Sequence, residues 1–499
     1  MVAKDPAQAL LALNRFGLGA KAATGGDLAR IAADPRGYVR SQLSHGDAVL
    51  ITAPDLMTSD AAFRAHRGAE EMRRRERERK LQVSVTAPMV SADSPAAPAA
   101  APSAADPAKP PARLASLEPA KPAAAKPPEP QVEQTIFRAE AEARFRQLTA
   151  SDTGLLERLV LFWSNHFALS LAKGQPLRVT IGACEREAIR PHVLGKFADM
   201  LRAVEQHPAM LIYLDNQQSI GPNSRAGQNN HRGLNENLAR EILELHTLGV
   251  DGGYSQSDVT SLARIITGWT FVQPDDDALY GGRFTFAPVR HEPGDHRLLD
   301  KVYDEGGLEQ GEAALTDLAH HPSTAHHIAV KLSRHFVADE PPPVLVERLA
   351  KTFVDTQGDL AAVTAALIES KEAWESGASK MRTPQEFVIA AYRATSRTVD
   401  APQIIGILNA LGQPLWYPPG PNGFPDTVAA WASPEGMRAR LDVAAQLGRQ
   451  ASPTINPNEV LDAVVGAAAS SDTRSAVERA ESRPQGLALL FMSPEFQRR

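Results

Sequence analysis

A single cysteine, Cys184, stands in 499 residues. An intramolecular disulfide and a multi-cysteine zinc site are therefore both excluded. The lone thiol sits in a helical pattern over 183–189 and reads as a small buried hydrophobe. No run of about 18 apolar residues occurs, so no membrane-spanning helix is expected. The opening MVAKDPAQALLALNRFGLGA holds no apolar core long enough for a leader before Arg15, and a cytoplasmic protein is expected. Neither sign of charge prevails: 53 Lys+Arg against 59 Asp+Glu give −6, which calls for neither nucleic acid nor an anionic membrane. HExxH, GxSxG, the phosphate-cradling GxxxxGK(S/T) and a GxGxxG after a strand are all missing. Serine, cysteine and nucleotide mechanisms thus lack their motifs.

What is present is ordinary globular material, 43% hydrophobic and 22% charged. Helical periodicity covers Asp5–Asn14, Gly26–Ala33, Pro35–Leu43 and a charged run from Ser59. That run ends in EEMRRRERERK (70–80), whose mixed charge fits a solvated helix end better than a nucleic-acid patch. Between Pro88 and Pro130 lie 12 of the 38 prolines. Such a stretch buries too little apolar surface to offset its ordering entropy, so 85–131 is expected to be a disordered Pro/Ala-rich insert. It divides an N-terminal helical part of the main body (1–84) from the main helical domain (132–499). Helical patterns return over 137–150, 154–170, 185–207, 235–248 and 255–268, and continue from 311 to 399 and over 433–449. Only WTFVQ (269–273) and GRFTFAPV (282–289) alternate like short strands, with a turn between them. The fold class expected is mostly α: a large multi-helical body with a small two-stranded β element.

Ionisable residues concentrate in NENLAREILELHTLGVDGGYSQSDVTSLARIITGW, 235–269. Asn235 is a good N-cap for the first helix, and Gly249 is placed as its C′ glycine. Ser255 and Asp258 form a variant capping box for the second, which gives Asp258 a structural task. At about 100° per residue, Glu236, Arg240 and Glu244 make one stripe with Glu241 beside it. The stripe fits a solvated face with two i,i+4 ion pairs, and equally a carboxylate cluster lining a cavity. His246, at the edge of the apolar arc, fits a packed histidine or an acid–base group. In LVLFWSNHFALS (159–170), Asn165 and His166 fall inside an apolar helix and need partners, as a core network or as a site. Asp251, in the glycine turn, and His291, after the second strand, complete a weak metal set with Glu244 and His246. The histidines of 320–335 give no ligand spacing, because His326 and His327 face different sides of a helix.

Taken in order, several segments resemble a bacterial family catalogued as domain of unknown function 1800. They are LNRFGLGA from Leu13, FWSNHF (162–167), YLDN (213–216), NENLAREILELHTLGVDGGYSQSDV (235–259), TGW (267–269), the His291 segment, KLSRHFVADEPP (331–342), PPGPNGFPD and SPEF (493–496). The resemblance implies a large, mainly helical protein with no established activity. It also implies a partner, an uncharacterised sulfatase-like protein encoded by a neighbouring gene. The chain departs from the family pattern at His291-Glu292-Pro293-Gly294-Asp295-His296, where a lysine usually closes the loop, and at Phe424, where tryptophan usually follows the glycine.

Two functions follow as expectations. One is a hydrolase-like enzyme with a carboxylate/histidine site on the helix pair 235–268. Glu236, Glu241, Glu244, His246, Asn165 and His166 would carry it, Arg240 would orient a carboxylate or an anionic substrate, and a divalent metal would sit on Glu244, His246, Asp251 and His291. The other is a non-catalytic scaffold acting through surfaces such as the 416–426 loop.

Overall fold

The computed structural model describes residues 5–21, 28, 31–86, 131–229, 233–274, 276–375 and 377–499. The chain is mostly helical, and its only strands among these residues are two antiparallel pairs. It divides into a unit formed by residues 1–66 with 132–499 and a second unit of residues 67–131. In the second unit the described part is the end of helix Ser59–Thr86. Its side chains pair along one turn, Arg67 with Glu70 at 2.9 Å and Lys80 with Glu76 at 2.7 Å, as a solvated helix does. The proline-rich stretch lies, from 87 to 130, outside the described residues, as do residues 26, 27, 29 and 30 of the 26–33 helix.

The first unit is built on two apolar cores. One gathers Leu155, Leu159, Leu238, Ile242, Leu262, Leu315, Ile328, Leu332 and Leu349. The other gathers Phe145, Leu148, Phe387, Ile404, Leu447, Leu461 and Leu490. Each such side chain, fully buried, contributes roughly 1.5–3 kcal/mol. Helix Gly154–His166 belongs to the first core, while its Leu161 leans on the second. The N-terminal segment is fixed to this helix from inside. Arg158, fully buried, donates from Nε to Gly17 O at 2.8 Å and pairs with Glu386. Arg15 donates to Ala373 O at 2.6 Å and Gly377 O at 2.7 Å.

The expected hairpin forms, with Trp269 opposite Phe286 and Phe271 opposite Phe284. A second, His296–Leu298 with Lys301–Tyr303, was not foreseen, since three-residue strands carry too little alternation to stand out. The continuous helix expected over 185–207 is broken. A π-turn, Glu185–Ile189, and a 3₁₀ turn, Arg190–His192, precede the helix Phe197–Glu205. Pro191 removes the amide that a continuing α-helix would need. The pattern over 154–170 likewise ends as helix at His166. Helices Gln175–Cys184, Ala401–Ala410, Pro457–Val464 and Arg483–Met492 were not anticipated.

In the central pair, Asn235 Oδ1 accepts from Asn237 N at 2.9 Å, the capping role its position predicts. Ser255 and Asp258 form the capping box in full. The first helix is α only over Asn237–Glu241, and it continues as a π-turn, Ile242–His246. The wider turn places His246 in the core instead of at the margin of an amphipathic stripe.

Candidate functional site

A cavity of about 310 Å³ lies where the two cores meet, with Phe162, Phe167 and Ile181 from one and Leu415 from the other in its wall. That is enough for a small organic molecule. Three segments supply most of its polar residues: the end of helix Gly154–His166, helix Pro322–Phe336 and the loop through Asp426.

The loop is held by a reciprocal pair. Asn165 Nδ2 donates to Phe424 O at 2.9 Å, and Phe424 N donates to Asn165 Oδ1 at 2.8 Å. Gly423 lies against the helix end with φ +77°, and a Cβ there would stand 2.4 Å from Asn165 O. Only glycine permits both the left-handed backbone and this approach. The loop thereby carries Asp426 to His335, where Nδ1 lies 2.6 Å from Oδ2. Lys380 Nζ stands 3.1 Å from the same carboxylate's other oxygen, and Arg499 Nη2 3.7 Å from it.

His335, Arg499 and Lys380 hold the Asp426 carboxyl well below the usual range against its own burial, so it stays ionised. An ionised carboxylate only accepts hydrogen bonds, so His335 Nδ1 carries the proton it donates. Burial, with Arg499 and Arg158 adding to it, lowers the His335 pKa although Asp426 opposes them. The ring is neutral at pH 7, and its Nε2 bears a lone pair that is buried and has no hydrogen-bond partner among the described residues.

One turn before His335 on the same helix face, Lys331 lines the cavity and keeps some accessible surface. Its Nζ makes no hydrogen bond or ion pair among the described residues. Burial, with nearby Arg334 adding to it, brings its pKa down to about 8 despite the Asp426 charge. His327, a further turn back, is lowered to about 4, first by burial and then by Lys331. Beside these, His166 donates from Nε2 to His246 O at 3.2 Å, and its Nδ1 is buried without a partner among the described residues. Burial, then Lys331, His246 and His327, push the His166 pKa well down. Phe162 neighbours both imidazoles, its ring centre 6.2 Å from His166 and 5.5 Å from His335.

Of the residues singled out in the sequence, Asn165 and His166 lie at this cavity; the acidic stripe does not line it. Glu236 accepts from Thr260 at 2.7 Å and Gln256 at 2.8 Å, and stands 3.3 Å from Arg240. Those contacts, Thr260 first, lower its pKa. Half-buried Glu241 has its pKa raised, mainly by burial. Glu244 accepts from Tyr254 at 3.3 Å, and Asp251 is exposed. His246 is buried against Glu205, Nδ1 to Oε1 2.7 Å. His291 accompanies Thr267 O at 3.0 Å, in the wall of a separate cavity of about 250 Å³ with Glu305 and Arg225. Glu244, His246, Asp251 and His291 are therefore not brought together. No group of three or more His, Cys, Asp or Glu among the described residues is placed to hold a metal ion.

Sequence reasoning missed Lys331, His335, Asp426 and Glu386. A usable signal was there. His327, Lys331 and His335 repeat at i, i+4 and i+8 on one face of a helix whose neighbours are Ile328, Leu332 and Phe336. The same rule had picked out Glu236, Arg240 and Glu244, where the face is half-exposed.

Among the described residues no helix is long and apolar enough to cross a membrane. No curated protein and no solved structure matches the chain. The resemblance carried by FWSNHF, KLSRHF and PPGPNGFPD, the segments that meet at the cavity, is matched at the scale of the whole chain. Residues 11–498 fit the family described as protein of unknown function (DUF1800), and the chain belongs to that family.

Proposed function

We propose that this protein is an enzyme of hydrolytic type whose reaction takes place in the cavity between the two cores, with His335 as general base. The observation that carries the reading is the His335–Asp426 pair at 2.6 Å in a residue that lines a cavity large enough for a substrate, its far imidazole nitrogen buried and unpartnered among the described residues. Asp426 fixes the tautomer and stabilises the imidazolium formed when Nε2 takes a proton. A water molecule giving up that proton attacks an electrophilic carbonyl or phosphoryl centre, and the imidazolium returns the proton to the leaving group. Lys331 and Arg334 face the negative charge that develops. His166, neutral and with Nδ1 unpartnered among the described residues, is the second group able to carry a proton.

The test needs no prior substrate. A small-molecule extract is incubated with the wild type, with His335→Gln or with Asp426→Asn, and is followed by mass spectrometry. Compounds consumed by the wild type and spared by both folded variants support the reading. No wild-type-dependent change, or identical change with the variants, refutes it.

A further inference from the structure

The charge arrangement in the cavity wall identifies the substrate class, given the reading of this cavity as the site. The wall contains the carboxylates Glu185, Glu386 and Asp426, and all three are occupied. Glu185 is held by Arg144 at 2.7 Å and Arg190 at 2.8 Å. Glu386 is held by Arg158 and by Arg499 at 3.0 Å. Asp426 is shared among His335, Lys380 and Arg499. No carboxylate of the wall is left to receive a cationic ligand.

Cations remain over. Lys331 Nζ has no partner among the described residues. Arg334 donates only from Nε, to Asp339 O at 3.1 Å, so its two Nη groups are unassigned among those residues. Arg144 Nη1 and Gln385 Nε2, of residues in the same wall, are buried donors without a partner among the described residues. Apart from the two imidazoles assigned to proton transfer, the buried side-chain atoms of this wall left unpaired among the described residues are donors. A buried donor left unpaired is costly, and an acceptor-rich ligand would relieve that cost. The wall also presents an apolar surface formed by Leu161, Phe162, Leu415, Trp416, Pro418 and Phe424.

We infer that the cavity binds a small organic oxyanion, a carboxylate or a phosphate or sulfate monoester with an apolar body, whose charge is met by Lys331 and Arg334. An inorganic anion alone would leave the aromatic wall uncovered.

The experiment is isothermal titration of the full chain at pH 7 with benzoate, phenyl phosphate and phenyl sulfate, with inorganic phosphate and neutral benzamide as comparators. At least one aromatic anion binds the wild type, and the variants Lys331→Met and Arg334→Gln each weaken it about tenfold or more. Lys331→Arg, which keeps the charge, restores most of the affinity. Thermal melts establish that each variant is folded. Equal binding of benzamide, equal affinities in wild type and charge-removed variants, binding of inorganic phosphate in preference to the aromatic anions, or no binding of any anion overturns the inference. The two readings fail separately: aromatic-anion binding that depends on Lys331 and Arg334, with no compound consumed in the extract assay, leaves this inference standing and overturns the catalytic one.

Discussion

Asn165 and Phe424 exchange two hydrogen bonds, at 2.9 and 2.8 Å, across 259 positions of sequence. The amide of one residue thus serves as donor and acceptor to the backbone of a loop that has no regular structure of its own. Asn165→Ala removes both bonds and leaves a loop amide and carbonyl unpaired, a loss of about 1–3 kcal/mol. Asn165→Asp keeps the acceptor alone and falls between. Hydrogen exchange over 418–427 should quicken in the same order, and unchanged exchange in the alanine variant would contradict the clamp.

Glu386 and its two arginines form a buried ionic group, with relative side-chain exposures of 3% for the glutamate and 0% for Arg158 and Arg499. Arg158→Met leaves Glu386 with Arg499 alone and takes the donors from Gly17 O, and should destabilise by about 3–5 kcal/mol. Combining it with Glu386→Gln should recover part of that loss. The measurement is a denaturant-melt double-mutant cycle, and strict additivity would mean the residues act independently.

Lys331 gives a pH dependence with a definite sign. Unfolded it titrates near 10.5, folded near about 8. Asp426 and Arg334 face it, with His166 and His327 beside it, and the carboxylate and both imidazoles are shifted to the acid side of this range. Below pH 8 the amine is charged in both states and its burial opposes folding. Between 8 and 10.5 the folded state holds fewer protons, so its stability rises relative to the unfolded chain. Lys331→Met should therefore be more stable than wild type at pH 7.5, with the gap narrowing at pH 10. Affinity for an anion such as benzoate should fall as pH rises past 8.

His335 predicts the opposite limb. Its pKa lies below the ordinary 6.5, chiefly through burial. Turnover of any substrate should be level through neutral pH and decline only on acidification below that value. Asp426→Asn should lower turnover by about 10²–10⁴-fold while the variant remains folded. An acid limb well above 6.5 would count against His335 as the base.

The acidic stripe supplies a contrast. Glu236→Gln loosens a half-exposed pair with Arg240 and should change stability by less than about 1 kcal/mol. His246→Ala removes a buried ring and unpairs fully buried Glu205, a loss of several kcal/mol in the same thermal melt.

Periodicity made the helical class, the first hairpin and the caps at Asn235 and Ser255 readable, because each depends on neighbours within a few positions. The site was less readable, for a physical reason. The Glu236 stripe and the His327–Lys331–His335 stripe obey the same spacing, yet one is half-exposed and the other brings Lys331 and His335 to a cavity. What separates them is the covering segment: the loop that Asn165 anchors, hundreds of positions from the helix end it touches. The π-turns at 185–189 and 242–246 shift the phase of the residues that follow, so a wheel drawn at 100° misplaced His246. Pairings such as His335 with Asp426 leave no local pattern.

Arg158 bonds to Gly17 O and pairs with Glu386, separations of 141 and 228 positions. Arg15 reaches 358 positions to Ala373. During synthesis, then, Arg15 and Arg158 emerge long before the Ala373 carbonyl and the Glu386 carboxylate that receive them. The final wall of the cavity assembles late, after large loops have closed, and refolding should be slow for so helical a protein. Until that closure, Phe162, Leu415 and Trp416 face water on a half-made chain, which is the interval in which such a chain is most open to aggregation or to capture by a chaperone.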